Sequence, residues 1–381
     1  MKVKKLLMLL LTGSLLLALL PCCAAVPAKP NSDTGAPSAP SSDAVSTEGS
    51  ASSDASAGTE TDSSASTDTD TDGGTTSTQP VYETPQEVLE ASPHLIGLTD
   101  QKNGRLIVRD LAAEDWSDDS SVVWQYRDER TRAAAGLKFR YSELFGGEVV
   151  LFCGPAGAGI LSYETKEMLF FTAKVGVNPH GVELLPDGTF IVGSTTDNLV
   201  SVFDAASGNV SPVQTLNYEN VHGILWDPEY DLLWMAGRTK LSAFSVTKND
   251  GKAYVSQIYG MSFETGDWLH DLVPCYGDPR GLFVTCGTGI YYFDKEKEEF
   301  TSSYPCSVYA AGIKTSPAMG CFPDRVMPIL YTVPGKTVYK DWCMNEISVL
   351  VPLSETRVRK ITRVAPNDAY YKIRAWISDY Q

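Results

Sequence analysis

Residues 85–381 show almost no helical periodicity. They alternate short runs rich in Val, Ile, Phe, Tyr and Trp with clusters of Gly, Pro, Asp and Asn, the pattern of strands joined by tight turns. Five stretches lie on one another: "LIGLTDQKNGRLIVRDL", "EVVLFCGPAGAGILSYET", "TFIVGSTTDNLVSVFDAASG", "LLWMAGRTKLSAFSVTK" and "GLFVTCGTGIYYFDKEKEEF". Each reads as an apolar strand, a break of small residues, a hairpin turn and an alternating strand that ends near a charged turn. The unit is a β-meander.

Its period comes from histidine. Three of the four histidines stand ahead of the same pattern, in "NPHGVELLPDGTF", "NVHGILWDPEYDLLW" and "LHDLVPCYGDPRGLF". His180 and His222 are 42 residues apart, and His222 and His270 are 48 apart. A repeat of roughly 40–50 residues with several strands each predicts a β-propeller. In the same phase, Arg140 lies 40 residues before His180 and Lys314 lies 44 residues after His270. The domain length then predicts six blades, with the C-terminal "AYYKIRAWI" supplying the inner strand of the first blade and closing the ring. A β-sandwich would explain the strands but not the period. The fourth histidine, His94, falls out of phase and reads as a half-exposed residue at a strand start.

The succession "GGEVVLF", "NPHGVELLPDG", "HGILWDPEYDLLW" and "LHDLVPCYGDPRGLFVTCGTGIYYFDK" resembles a family of secreted bacterial propeller-like proteins known only as a domain of unknown function. More distantly, "PHGVELLPDG" resembles the strand-turn units of NHL and SMP-30 type six-bladed propellers. The resemblance implies the fold and no activity.

What precedes the domain changes where it is expected to work. Residues 1–25 read as an export signal, a basic "MKVKKLL" followed by an apolar core too short for a lasting membrane span. "LLPC", ending at Cys22, resembles a lipobox that departs from the usual pattern at Pro21, so Cys22 is a candidate for lipidation. Cleavage after "CAA", with simple secretion, is the alternative. Residues 26–84 read as a disordered tether. Its stretch 31–80 holds nine acids and no Lys, Arg or aromatic residue, and as a coil it spans about 40 Å. Within it, "DTDTDG" (Asp68 to Gly73) opens like a calcium loop, but Gln79 stands where the bidentate glutamate belongs.

The whole chain carries a net charge of −16, and residues 81–381 hold 27 bases against 38 acids. A domain this acidic has no basic footprint for nucleic acid or anionic lipid, so membrane association is expected only through the N-terminal lipid. The expected form is a monomer at the cell surface that binds an extracellular ligand. Six cysteines lie in the domain. Cys153 and Cys286 align with Gly193 and Ala236, which predicts small buried thiols, while Cys306, Cys321 and Cys343 leave room for one bridge.

Catalytic signatures are absent from the sequence. "GPAGAG", Gly154 to Gly159, runs into a strand and reads as a hairpin turn rather than a phosphate loop. The candidate chemistry is instead the ring of in-phase residues Arg140, His180, His222, His270 and Lys314, which would converge on the propeller axis. Three roles compete for it. The histidines can hydrogen-bond within their own blades. The ring can form an anion pocket for a saccharide or acidic glycan, with Arg140 and Lys314 as the cations. Or three neutral imidazoles can share a divalent metal ion in a lyase or hydrolase. Glu183 and Asp271 are the nearest carboxylates. Trp268 is a candidate stacking surface for a sugar, whereas Trp226 reads as core. A protein-interaction scaffold working through its rim loops is the remaining alternative.

Overall fold

The structure, a computed structural model, describes residues 81–380 apart from 266–267, 277, 287–289, 302–318, 323–324, 327–328, 332–337 and 355–356. Cys22, Lys314 and Cys306 therefore lie outside the described residues. After a single helix, Pro85–Ala91, capped by Thr84, the described elements are strands and two 3-10 turns.

The strands form antiparallel meanders in chain order. Gly136–Ser142, Gly147–Gly154, Gly157–Ser162 and Met168–Thr172 make one sheet. Pro179–Leu184, Thr189–Ser194, Leu199–Asp204 and Gln214–Asn217 make the next, and the four strands between Val221 and Glu264 a third. A fourth begins at Leu269–Tyr276 and runs through Gly281–Cys286, Ile290–Asp294 and Glu299–Thr301. That sheet also carries Met319–Phe322, parallel to Leu269–Tyr276, and then Arg325–Val326. Two further sheets depart from the plan. Ile329–Tyr331, Glu346–Pro352 and Val358–Val364 form a three-stranded sheet among the described residues. In the other, Leu95–Asp100, Arg105–Asp110 and Val122–Arg127 take their innermost strand from the far end of the chain, because Tyr370–Ala375 pairs antiparallel with Leu95–Asp100. The predicted closure by "AYYKIRAWI" is thus what joins the two ends of the domain.

Both faces of these sheets are buried, which explains their near-continuous apolar runs. Val150 and Phe152 point back to Leu106 and Val108, while Val149 and Leu151 point forward to Val182 and Val192. The same alternation continues from Ile191 to Ile224 and Met235, and from Trp234 to Leu272 and Val284. Ile96 and Leu98 pack on Ile347 and Val349, bringing the three-stranded sheet against the first. Sheets stacked face to face in a circle, with the first strand of one against the first strand of the next, are a β-propeller.

Glycine sets how tightly these inner strands meet. A methyl group at Gly136 would stand 2.7 Å from the His180 carbonyl oxygen, and one at Gly181 3.3 Å from that of His222. At Gly223 it would stand 2.9 Å from the Leu272 amide nitrogen. The glycine of "HGV" and "HGI" is therefore where the next blade's backbone passes.

Three expectations are met in detail. "GPAGAG" is a hairpin, Gly154 pairing with Gly157. His94 is half-exposed ahead of Leu95 and its Nδ1 donates to the Ser92 carbonyl oxygen. Trp226 is core. One alignment needs correction. Cys153 pairs with Gly136, Gly193 with Gly181 and Ala236 with Gly223, but the residue paired with Asp271 is Thr285, and Cys286 pairs with Leu269. Thr285, not Cys286, holds the small position. Cys153 is a buried free thiol that burial pushes up to about 12.

Candidate functional site

The histidine period has a backbone cause. In three inner strands the register slips by one residue at the end where the chain enters. The slip lies between Pro179 and Gly181, between Val221 and Gly223, and between Leu269 and Asp271. The extra residue of each bulge is His180, His222 or His270. The closing strand slips in the same way between Tyr370 and Ile373, which places Tyr371 in that irregularity. A bulge turns one side chain out of the alternation, and here all four turn into one cavity. In two blades an asparagine in the left-handed region leads into the bulge, Asn178 at φ 60° and Asn220 at φ 51°. Asparagine tolerates that conformation better than most residues.

The cavity has a volume of about 310 Å³ and is lined by the three histidines, Tyr371, Asn178, Gln101, Ala133, Ala135, Pro155, Lys340 and Trp342. Neighbouring imidazoles meet edge to face, with centroids 4.7 Å apart for His180 and His222 and 5.4 Å for His222 and His270.

Partners fix the tautomers of two of them, His180 and His222. His222 Nδ1 lies 2.9 Å from the Asn220 carbonyl oxygen, which can only accept, so Nδ1 carries the proton and Nε2 keeps a lone pair. Asn178 donates through Nδ2 to Thr195 Oγ1, so its Oδ1 accepts from His180 Nε2 at 3.1 Å. His180 Nδ1 then accepts the Tyr371 hydroxyl proton at 2.8 Å. The cavity consequently presents two acceptors, His222 Nε2 and the Tyr371 oxygen.

Both imidazoles are neutral. Burial pushes His222 down to about 3, outweighing the Asn220 hydrogen bond that favours its charged form. His180 is held well below the usual value by burial and then by the charges of His222 and Lys372. The unfolded chain, with imidazoles near 6.5, takes up these protons first as pH falls. Stability is therefore complete above about pH 6.5 and drains away toward acid. Between pH 6.5 and 5, above the main carboxylate range, the two together are expected to cost about 3 kcal/mol. Urea midpoints measured across that window check this; a flat profile would contradict it.

Beneath the histidines the axis is filled by two ion-pair clusters of one design. Glu183 is fully buried and accepts from Lys138 Nζ (2.8 Å) and from Arg140 Nε and Nη2 (2.8 Å each). It also accepts from the amides of Leu184 and Trp226 at 3.0 and 3.1 Å, so one carboxylate ties three successive blades. Burial alone would raise its carboxyl; Arg140 and Lys138 outweigh it and hold it below the usual range. Asp271, equally buried, accepts from both Arg374 Nη atoms at 2.6 and 2.7 Å and pairs with Lys372 at 3.1 Å. Burial brings Lys138 and Lys372 down to about 8 against the pull of those carboxylates. At the bottom, Tyr380 lies under Arg140 (4.5 Å to the ring centroid) and its hydroxyl donates to the Leu184 carbonyl oxygen at 2.6 Å.

The predicted ring is thus divided. His180, His222 and His270 come together as expected. Arg140 does not join them: the inner-strand register equates Gly136 with Gly181, so Ala135 holds the histidine position and Arg140 lies deeper, committed to Glu183. Asp271 belongs to the floor. Trp268 is 51% exposed, faces Arg238 at 5.9 Å and does not line the cavity. The aromatic wall is Trp342, which donates from Nε1 to Gln101 Oε1 at 3.0 Å and has Lys340 over its ring at 5.1 Å. Among the described residues Lys340 is the one ammonium lining the cavity. A shared divalent ion would need a lone pair from His180, and both of its ring nitrogens are engaged. No cluster of three or more His, Cys, Asp or Glu with metal-holding geometry occurs among the described residues.

None of the curated proteins matches the sequence. Among solved structures, the chain is similar to the dihydro-heme d1 dehydrogenase NirN in complex with DHE, at 15% identity and a TM-score of 0.42 over 74% of this chain and 55% of that one. A chain of the mitotic checkpoint complex shows 14% identity and a TM-score of 0.43, covering 71% of each. Over residues 80–326 the sequence matches a family of unknown function, DUF6528, and the chain belongs to that family.

Proposed function

We propose that this is a six-bladed propeller, exported and tethered at the cell surface, that binds a neutral, hydroxyl-rich ligand, a saccharide, in its axial cavity. The observation that carries the reading is the fixed tautomer set. Hydroxyl groups donate to His222 Nε2 and the Tyr371 oxygen, whereas a carboxylate or sulfate would meet their lone pairs. An acidic glycan is the weaker form of the idea, since Arg140 is spent on Glu183 and Lys340 is left as the one lining cation among the described residues. Trp342 offers the apolar ring face on which a sugar stacks.

The three-stranded sheet counts as the sixth blade in this reading. Tyr82 bonds through its amide to the Leu353 carbonyl oxygen at 2.8 Å and accepts from Arg357 at 3.1 Å. Those residues form the turn leading into Val358–Val364, a strand that runs back toward Tyr371. The chain therefore enters the domain at the end remote from the cavity. Transfer of the domain from the membrane to the soluble fraction in Cys22→Ser is the check on the anchor; a domain that stays membrane-bound would contradict it.

Isothermal titration against neutral and uronic oligosaccharides tests the binding. Neutral members are expected to bind, and His222→Ala to weaken them about tenfold, the worth of one buried hydrogen bond. Unchanged affinity in that variant would mean that the ligand sits elsewhere, as a rim-loop scaffold would have it. One tightly held divalent ion per purified chain would favour the metal-dependent lyase or hydrolase instead.

A further inference from the structure

We infer that the cavity takes the terminal unit of a saccharide chain and excludes its interior. The inference rests on the saccharide reading and adds the geometry of access. The cavity is blind. Its floor is the pair of clusters around Glu183 and Asp271, whose carboxylates are wholly buried and whose cations are at most 10% exposed. Below them Tyr380, with the Asp379 carbonyl oxygen 3.3 Å from Arg140 Nη1, closes the far end of the axis.

Around Gly136, Gly181 and Gly223 neighbouring inner strands meet at glycine contact distances, so among the described residues the wall is closed on that side. A polymer therefore cannot thread the ring. The loops carrying Ala133, Asn178 and Trp342 line the cavity above that floor. At about 310 Å³ the cavity is near the lower limit of ligand pockets, about 300–1,000 Å³, and has room for one or two sugar rings. A chain end satisfies the closed floor and the volume together. Trp342, 40% exposed beside the opening, is placed to stack on the unit that follows the buried one.

The test is calorimetry on the intact domain with cello-, chito- and malto-oligosaccharides from monosaccharide to hexasaccharide, and with the hexasaccharides bulkily blocked at both ends. In the series that binds, affinity is expected to rise to the disaccharide or trisaccharide and then stay level, while the doubly blocked hexasaccharide binds at least about tenfold more weakly. Trp342→Ala is expected to remove the gain from the second unit, so that monosaccharide and disaccharide bind alike. Affinity that climbs through the hexasaccharide, or a blocked hexasaccharide that binds like the free one, would overturn end recognition and leave saccharide binding standing. If no member of the panel binds, the saccharide reading fails and this inference fails with it.

Discussion

Replacing Glu183 with glutamine is expected to cost about 3–5 kcal/mol, a large part of a domain's stability. The carboxylate is fully buried and receives hydrogen bonds from Lys138, Arg140 and two backbone amides on three successive blades. Glutamine keeps the size but removes the charge that compensates a guanidinium and an ammonium. It also offers an NH2 group where the arginine and lysine need acceptors. Lys138 Nζ, which also donates to the Ile224 carbonyl oxygen, would remain buried beside a guanidinium with no counter-charge. The measurement is the urea midpoint and slope of variant and parent. A companion separates charge from packing: replacing Lys138, Arg140 and Glu183 together with apolar residues of similar volume should lose much less, since no unpaired charge remains. A Glu183→Gln variant within about 1 kcal/mol of the parent would contradict the axial account.

Removing the closing strand is expected to be worse. A chain ending at Val364 loses Tyr370 and Ile373 from the core beside Ile96 and Leu98. It exposes the full edge of Leu95–Asp100, and it leaves Asp271 without Arg374 and Lys372. Asp368, which receives Arg105 at 3.0 Å and Arg109 at 2.8 Å, goes as well, leaving two buried arginines short of a carboxylate. Together these losses approach the about 5–15 kcal/mol that holds a typical domain. The expected result is a chain with no cooperative unfolding transition and a tendency to associate through the open edge. A synthetic peptide of residues 365–381 added in trans should restore the transition. A truncated chain that unfolds cooperatively near the parent midpoint would contradict the closure.

The fold was largely legible because period and alternation are properties of every blade. The closing strand could be assigned because its alternation matched the inner strand missing from the first blade. The site was legible only in part. The three histidines stood out by scarcity and phase, and that phase proves to be the bulge that turns them inward. Arg140 was misplaced because counting residues from His180 ignores where the register slips, and its own strand has no such slip. Tyr371 was missed although its strand was found. It has no histidine to mark it, and "AYYK" gives no sign of where the bulge will fall. Gln101 and Trp342 carry no sequence signal. They come from a hairpin turn and a connecting segment that only the closed ring brings over the axis. The ion-pair floor was hidden for a related reason, since Lys138 and Glu183 are 45 residues apart and meet through the stacking of blades.

The most direct measurement of the central claim is a structure of the domain with the tightest-binding neutral oligosaccharide from the titrations. The expected result is one terminal sugar inside the cavity, with hydroxyl oxygens within hydrogen-bonding distance of His222 Nε2 and the Tyr371 oxygen and with His180 still bonded to Asn178. A sugar bound on the outer loops with the cavity untouched would contradict it, as would an anionic group seated directly on the unprotonated His222 nitrogen.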